Sequence, residues 1–413
     1  MRILYCIQRY GPAIIGGAEQ HCRQFAEQMV ARGHQVEVVT SCATNYSDWS
    51  NEFTPGTEVI DGVTVHRLPV ASPRDNERFS PLHVHMTTKI RSPLFEQRRW
   101  ARMIGPELVG FERWLAENAH RFDIVIPYSY PYTTSTIALE NLFGVVPLAF
   151  TATAHDEPML RIPIFQTVMR WPDRFLFLTP EEQVVVEERF HRLNAGDIIG
   201  QGLRLDSEPT ELIRQSFQRR YDLGDEPFFL YIGRADPLKG FHELVSFFRL
   251  FKSRNRLPHR LVMIGGTDPG VQSDDDIRIL GYVDEPDKWA ALAGATALIH
   301  PSYQESLSMV LCEAWSQRTP VVVQNACEVL RGQTVRSRGG LRFANYAEFE
   351  QCLLWLTEDP SLAAELGESG RRYVEDNYTW SVVMEDYERA LESTISAFQT
   401  RHPRPLPTPR ISG

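Results

Sequence analysis

At 413 residues the chain exceeds what one ordinary core fills, so two domains of typical size are expected. A hydrophobic share of 43% excludes disordered and fibrous classes, and a net charge of −10 excludes general nucleic-acid binding. The six cysteines form no CxxC pair and several sit in apolar runs, which points to buried free thiols in a reducing compartment.

Met1-Arg2 leads directly into an apolar run at 3–7, too short for a signal-peptide core and read as a first strand. No apolar run approaches 18 residues, and a cytoplasmic location is expected. Strand-like runs at 36–40, 63–68, 124–127, 146–151 and 174–178 alternate with helical patterns such as 18–32 and 100–120. That alternation predicts a parallel, doubly wound sheet. The rhythm restarts after Asp206-Ser207-Glu208-Pro209, with strands predicted at 228–232, 261–264, 277–281, 297–300 and 321–324. A linker therefore falls near 200–210. A last helix is predicted over 381–399, and the tail 401–413, with four prolines, reads as disordered.

Gly16-Gly17-Ala18-Glu19 closes the first strand's loop and opens a helix. Glycine there permits close approach of backbone to an anionic ligand; a plain turn, with Glu19 complementing the helix dipole, is the competing reading. Between Lys89 and Ile104, five cations mix with Ile90, Leu94, Phe95, Trp100 and Met103. Such a segment is suited to an anionic membrane surface, against the ordinary alternative of packing with snorkelling arginines. His155, at the end of the 147–151 run, can donate to a sugar hydroxyl, with Asp156 placed to tune it.

In the second half, Gly233-Arg234-Ala235-Asp236-Pro237-Leu238-Lys239-Gly240 follows a buried strand and carries two cations five residues apart, a phosphate-binding pattern. Gly265-Gly266 and Gly281-Tyr282-Val283 end the next two strands. Asp274-Asp275-Asp276 reads as a solvated acidic loop rather than a metal site. The densest signal is Glu305-Ser306-Leu307-Ser308 leading into a helix with Glu313, then Pro320-Val321. Ser306 or Ser308 could cap that helix, whose free N–H groups suit a phosphate. Two carboxylates flanking an anion site describe a nucleotide-sugar pocket.

These segments resemble the family 4, or group 1, glycosyltransferases, marked by two glutamates separated by seven residues, an alanine, and a Pro-Val pair. Glu305, Glu313, Ala314, Pro320 and Val321 match. Arg318 stands where a glycine is usual, and Ser306-Leu307-Ser308 where Gly-Phe-Gly is common. Gly339-Gly340-Leu341 with Tyr346-Ala347-Glu348-Phe349 is similar to a stretch found in part of the family. The resemblance implies an α/β, GT-B fold of two Rossmann-like, doubly wound parallel-sheet domains with an interdomain cleft. It implies an acceptor-side domain over 1–203, a nucleotide-sugar domain over 204–377, and a final helix at 378–400 returning to the first.

It further implies retaining transfer of a hexosyl group from a nucleotide-diphosphate sugar to a carbohydrate or lipid-linked acceptor. No cofactor and no bound metal are implied, and a role in surface polysaccharide or glycolipid synthesis is. Arg234 and Lys239 would hold the diphosphate, Glu305 the hexose and Glu313 the ribose. Val283 would contact the base through its backbone, and Ser306, Leu307 and Ser308 the phosphates. Gly16, Gly17 and Gly233 would line the donor site, and His155 would reach the hexose. A non-catalytic nucleotide-sugar-binding protein and another GT-B enzyme, such as an epimerase or a phosphorylase, are the alternatives.

Overall fold

The computed structural model describes residues 1–89, 91–191, 193–205 and 209–402. Ile90 of the basic segment, 206–208 of the expected linker and 403–413 of the expected tail lie outside them. The chain divides into two compact units. One holds Met1–Ile199 with the chain from Met384 onward; the other is Gly200–Val383.

The first unit is built on β1 (Arg2–Cys6), β2 (Gln35–Ser41), β3 (Gly56–Ile60), β4 (Val63–Leu68), β5 (Ile124–Pro127), β6 (Ala149–Phe150), β7 (Arg174–Phe177) and β8 (Gly196–Ile198). The order is β3-β4-β2-β1-β5, continued by β6-β7-β8. Single bridges, Val125 to Leu148 and Tyr128 to Thr151, join the two groups. All pairs are parallel except β3 with β4. That antiparallel edge adds β3 to the strands predicted from sequence. It is a hairpin turned at Asp61-Gly62, both left-handed with φ 48° and 82°, the dipeptide a tight primed turn requires.

Two expectations need correcting. The helix predicted over 100–120 is two helices, Leu94–Ile104 and Phe111–Asn118, the second running on into a short turn of 3₁₀ helix. Gly105 between them takes φ 73° and Pro106 has no N–H to continue the ladder. The run at 146–151 is paired as a strand only at Ala149–Phe150, because Pro147 also lacks a donor.

The second unit is wholly parallel: β9 (Phe228–Gly233), β10 (Arg260–Gly265), β11 (Ile277–Gly281), β12 (Ala297–His300), β13 (Val321–Gln324) and β14 (Gly340–Phe343). Their order is β11-β10-β9-β12-β13-β14. The sheet grows outward one way from β9, then restarts beside it at β12. Open sheets bind ligands in the crevice beyond the strand ends at such a switch point. Phe229, Tyr231, Phe248, Leu261, Met263 and Ile299 are buried within one cluster that covers a face of this sheet.

The last helix, Trp380–Arg401, starts in the second unit and enters the first at Met384. There the Tyr387 hydroxyl lies 3.0 Å from that of Tyr5 on β1, and its ring stands edge-on to Phe25 at 4.7 Å. Glu388 takes hydrogen bonds from His34 at 2.8 Å and Arg32 at 3.0 Å.

Candidate active site

Two loops meet at the switch point of the second sheet. Past β9, the Tyr231 hydroxyl donates to the Arg234 carbonyl at 2.7 Å, folding the chain toward a short 3₁₀ turn at Pro237–Lys239. Asp236 caps that turn by accepting from Leu238 N at 2.9 Å. Gly240 follows with φ 69°, and a Cβ there would strike the Pro301 carbonyl. Only glycine both takes that conformation and lets the second loop approach. The loops are joined where Tyr303 N donates to the Leu238 carbonyl at 3.0 Å.

This junction carries Lys239 to Glu305. The ammonium lies 2.7 Å from Glu305 Oε1 and 3.2 Å from the Gln304 carbonyl. His300, the last residue of β12, places Nε2 2.9 Å from the same Oε1. Burial pushes the Glu305 carboxyl up, but the Lys239 charge and the His300 hydrogen bond outweigh it and hold Glu305 well below the usual carboxylate range. It is therefore ionised at any working pH. Arg234 is half-exposed in the same loop, its guanidinium 3.7 Å from Asp236.

Glu313 lies inside the helix Met309–Ser316, buried, and takes a hydrogen bond from Lys288 at 2.8 Å. Lys288 comes from the helix Glu285–Gly294, which Asp284 caps by accepting from Asp287 N at 3.0 Å. Val283 is half-buried immediately before that cap. So β11's exit loop and the Glu313 helix are tied together, and each acid of the spaced pair has its own lysine.

The segment Ser306-Leu307-Ser308 precedes the helix, with Leu307 and Ser308 buried. Gln333, fully buried, donates to the Leu307 carbonyl and fixes the loop. Ser308 occupies the N-cap position but does not cap: its side chain makes no hydrogen bond there, and its Oγ is buried without a partner. Its φ is 66°, and Arg318, the other departure from the family pattern, has φ 58°. Both positions therefore require left-handed backbone, which glycine adopts without the cost a side chain adds.

In the first unit, Glu19 is buried in the opening turn of the helix Gly17–Ala31. It accepts from Gln8 Nε2 at 2.9 Å and from Arg9 at 3.0 and 2.6 Å. A side chain on Gly16 would collide with that carboxylate, whereas Gly17 has open space around it. Glu19 thus ties down the loop beyond β1. His155 is half-buried beyond β6, its carbonyl accepting from Glu157 N at 2.8 Å. Asp156 pairs with Arg161, 2.9 Å distant.

Glu182 shapes this loop. Fully buried, it accepts from Ala154 N and Leu178 N at 2.7 Å each. Burial raises its carboxyl to about 7 against the pull of those two N–H groups. The adjacent Thr153 and Ser129 are left-handed, φ 50° and 68°, and joined through their hydroxyls at 3.0 Å.

Of the residues singled out in the sequence, Lys239 and Glu305 are in contact. Gly233 and Arg234 belong to the same loop system; Ser306, Leu307, Ser308 and Glu313 form one continuous helix entry. Gly16, Gly17 and His155 belong to the first unit. Sequence reading missed His300, Lys288, Gln333, Arg9 and Glu182. For Lys288 a signal existed, since it is one of only four lysines. The Asp274–Asp276 run is occupied structurally: Asp274 caps its own turn, and Asp276 pairs with Lys252 at 3.1 Å.

Residues 16–189 match the family model described as glycosyl transferase 4-like domain, and 214–373 the one described as glycosyl transferases group 1. Glycogen synthase of Mycobacterium tuberculosis is 23% identical over 93% of this chain and 92% of its own. Among solved structures, sucrose-phosphate synthase from Thermosynechococcus elongatus superposes with a TM-score of 0.73 at 18% identity, covering 96% of this chain and all of that one. Anabaena HepE in complex with UDP-glucose gives 0.70 at 14% identity, covering 95% and 100%.

Two predictions follow from the local geometry. Ser308→Gly removes left-handed strain and an unpartnered buried hydroxyl, and should stabilise the chain by about 1 kcal/mol in chemical denaturation. For Glu182, the carboxyl is protonated in both states below about pH 4.5, so no penalty arises there. Between about 4.5 and 7 the unfolded chain loses that proton first, so stability falls as pH rises and levels off above 7. Glu182→Gln should remove this slope, gaining on the parent by on the order of 2–3 kcal/mol across the window in urea titrations.

Proposed function

The chain belongs to the group 1 glycosyltransferases and has the GT-B fold of two Rossmann-like units, and on that premise we propose that it transfers a hexosyl group, with retention, from a nucleotide-diphosphate sugar to an acceptor hydroxyl. The observation that carries the reading is the 2.7 Å contact of Lys239 with Glu305 at the switch point of the second sheet. An ammonium has three donors. Glu305 and the Gln304 carbonyl take two, and the third is assigned to a phosphate oxygen, with the Arg234 fork on the diphosphate.

As the bond from the anomeric carbon to the diphosphate breaks, its electron pair goes to the phosphate oxygen; the acceptor oxygen bonds the anomeric carbon and its hydroxyl proton passes to the departing diphosphate. Lys239, Arg234 and the backbone N–H groups from Ser306 through the start of the Glu313 helix stabilise that charge. Glu305, kept ionised, faces the positive charge developing on the sugar. Glu313 takes the ribose hydroxyls, Lys288 fixing one of its oxygens, and the backbone near Val283 and Gly233 borders base and phosphate. His155 and the Gly16-Gly17 loop, in the first unit, are assigned to acceptor binding. The chemistry so described uses no metal ion or cofactor.

A carbohydrate or lipid-linked acceptor, in surface polysaccharide or glycolipid synthesis, suits a second feature. On the helix Leu94–Ile104, Trp100 and Ile104 point inward, whereas Leu94 and Phe95 are 52% and 71% exposed. From 78 to 104 the chain carries six cations against the single acid Glu96, in a protein of net charge −10. Among the described residues no helix is long and apolar enough to cross a membrane. Peripheral contact with an anionic bilayer at its cytoplasmic face fits this exposed apolar and basic surface.

Acceptor-dependent release of nucleoside diphosphate across UDP-, GDP- and ADP-sugars tests the activity. Lys239→Ala should lower kcat by about 10²–10³ with a smaller change in donor KM, because leaving-group charge grows during reaction. A change confined to KM would remove Lys239 from that role. For the membrane contact, Arg98→Glu/Arg99→Glu should weaken binding to anionic vesicles at least about thirtyfold, near 1 kcal/mol per lost cation. Equal sedimentation of parent and variant would exclude it.

A further inference from the structure

We infer that His300 is a positioning residue for the transfer reaction, holding Glu305 in place while Lys239 serves the departing diphosphate. This rests on the reading of Glu305 as the carboxylate that faces the sugar. Glu305 Oε1 receives both Lys239 and His300, at 2.7 and 2.9 Å. Oε2 takes no hydrogen bond from the described residues and is the oxygen left for substrate.

The ring is 4% exposed at the end of β12, and its Nδ1 is buried with no hydrogen-bond partner. A hydrogen on Nδ1 would face nothing, whereas a hydrogen on Nε2 meets a carboxylate. The geometry therefore selects the tautomer with hydrogen on Nε2. An apolar side chain of similar shape would fill the same space without stranding a ring nitrogen. What the imidazole adds is one rigid donor aimed at Glu305.

Lys239 cannot give that by itself. Its ammonium sits on a flexible stem and is shared between Glu305 and the Gln304 carbonyl. When a diphosphate competes for it, an acid anchored by lysine alone would be free to turn. His300 belongs to the strand through the β12–β13 register, opposite Val323, and does not move with the ligand.

The test is His300→Phe, which keeps the ring and drops the donor, beside His300→Gln, whose amide can restore it. His300→Phe should lower kcat about tenfold or more, the loss of one hydrogen bond to a charged group, with donor KM within about twofold and a lowered thermal midpoint that stays above the assay temperature. His300→Gln should recover kcat to within about threefold of the parent, and ¹⁵N shifts of the parent ring should report the Nε2–H tautomer. A His300→Phe enzyme with parental kcat, a His300→Gln enzyme no better than it, or an Nδ1–H ring would overturn the inference. Glu305→Gln separates the two levels. If Glu305→Gln keeps parental kcat, the assignment of Glu305 itself is wrong; if it abolishes turnover while His300→Phe does not, only the role of His300 falls.

Discussion

One buried carboxylate organises the second unit. Glu305 lies just past the end of β12, where burial disfavours charge, and it is held ionised by Lys239 and His300. An unpaired charge in such a place is strongly destabilising, about 3–5 kcal/mol when a partner is removed. The surrounding backbone is arranged to prevent that. Gly240 lets the Lys239 turn press against Pro301, Tyr303 N stitches the two loops, and β12 brings His300 alongside. Adjacency of β9 and β12, which are far apart in sequence, is what makes the pairing possible.

Lysine usage follows the same logic. In a chain that otherwise uses arginine for its cations, Lys239 and Lys288 each serve one of the two spaced glutamates. A compact ammonium can divide its three donors among a carboxylate, a carbonyl and a ligand, which a planar guanidinium fork does less readily in a tight loop. Lys252, by contrast, ties the 257–259 carbonyls and Asp276 at the other end of β10, a structural task. The scarce residue is placed where geometry is tightest.

Much of this was legible from sequence. Continuous apolar runs marked β1, β5, β9, β10, β12 and β13, because strands buried on both faces leave no alternation to misread. The two-glutamate spacing and the Arg234–Lys239 loop singled out two segments that the structure brings together through the Lys239–Glu305 contact. What sequence could not give depends on register and backbone angle. His300 reads as the end of an apolar strand until β12 is set beside β9. Lys288 reads as a surface helix residue until Glu313 is turned toward it. Asp61-Gly62 did announce the hairpin, but β3 has a mostly exposed, unremarkable sequence. The break at Gly105-Pro106 was equally visible, and a helical period on both sides masked it.

The departures from the family pattern are informative in a different way. Ser308 and Arg318 both adopt left-handed backbone. Glycine at these two places therefore answers a demand of chain direction, at the entry and at the exit of the Glu313 helix. It is not there to make room for ligand at Arg318, whose side chain points away to Glu368, 2.9 Å distant. Replacing a glycine under such a demand strains the fold locally and leaves the converging lysines and acids where they were. The strain falls on stability, while the Lys239–Glu305 and Lys288–Glu313 contacts are retained.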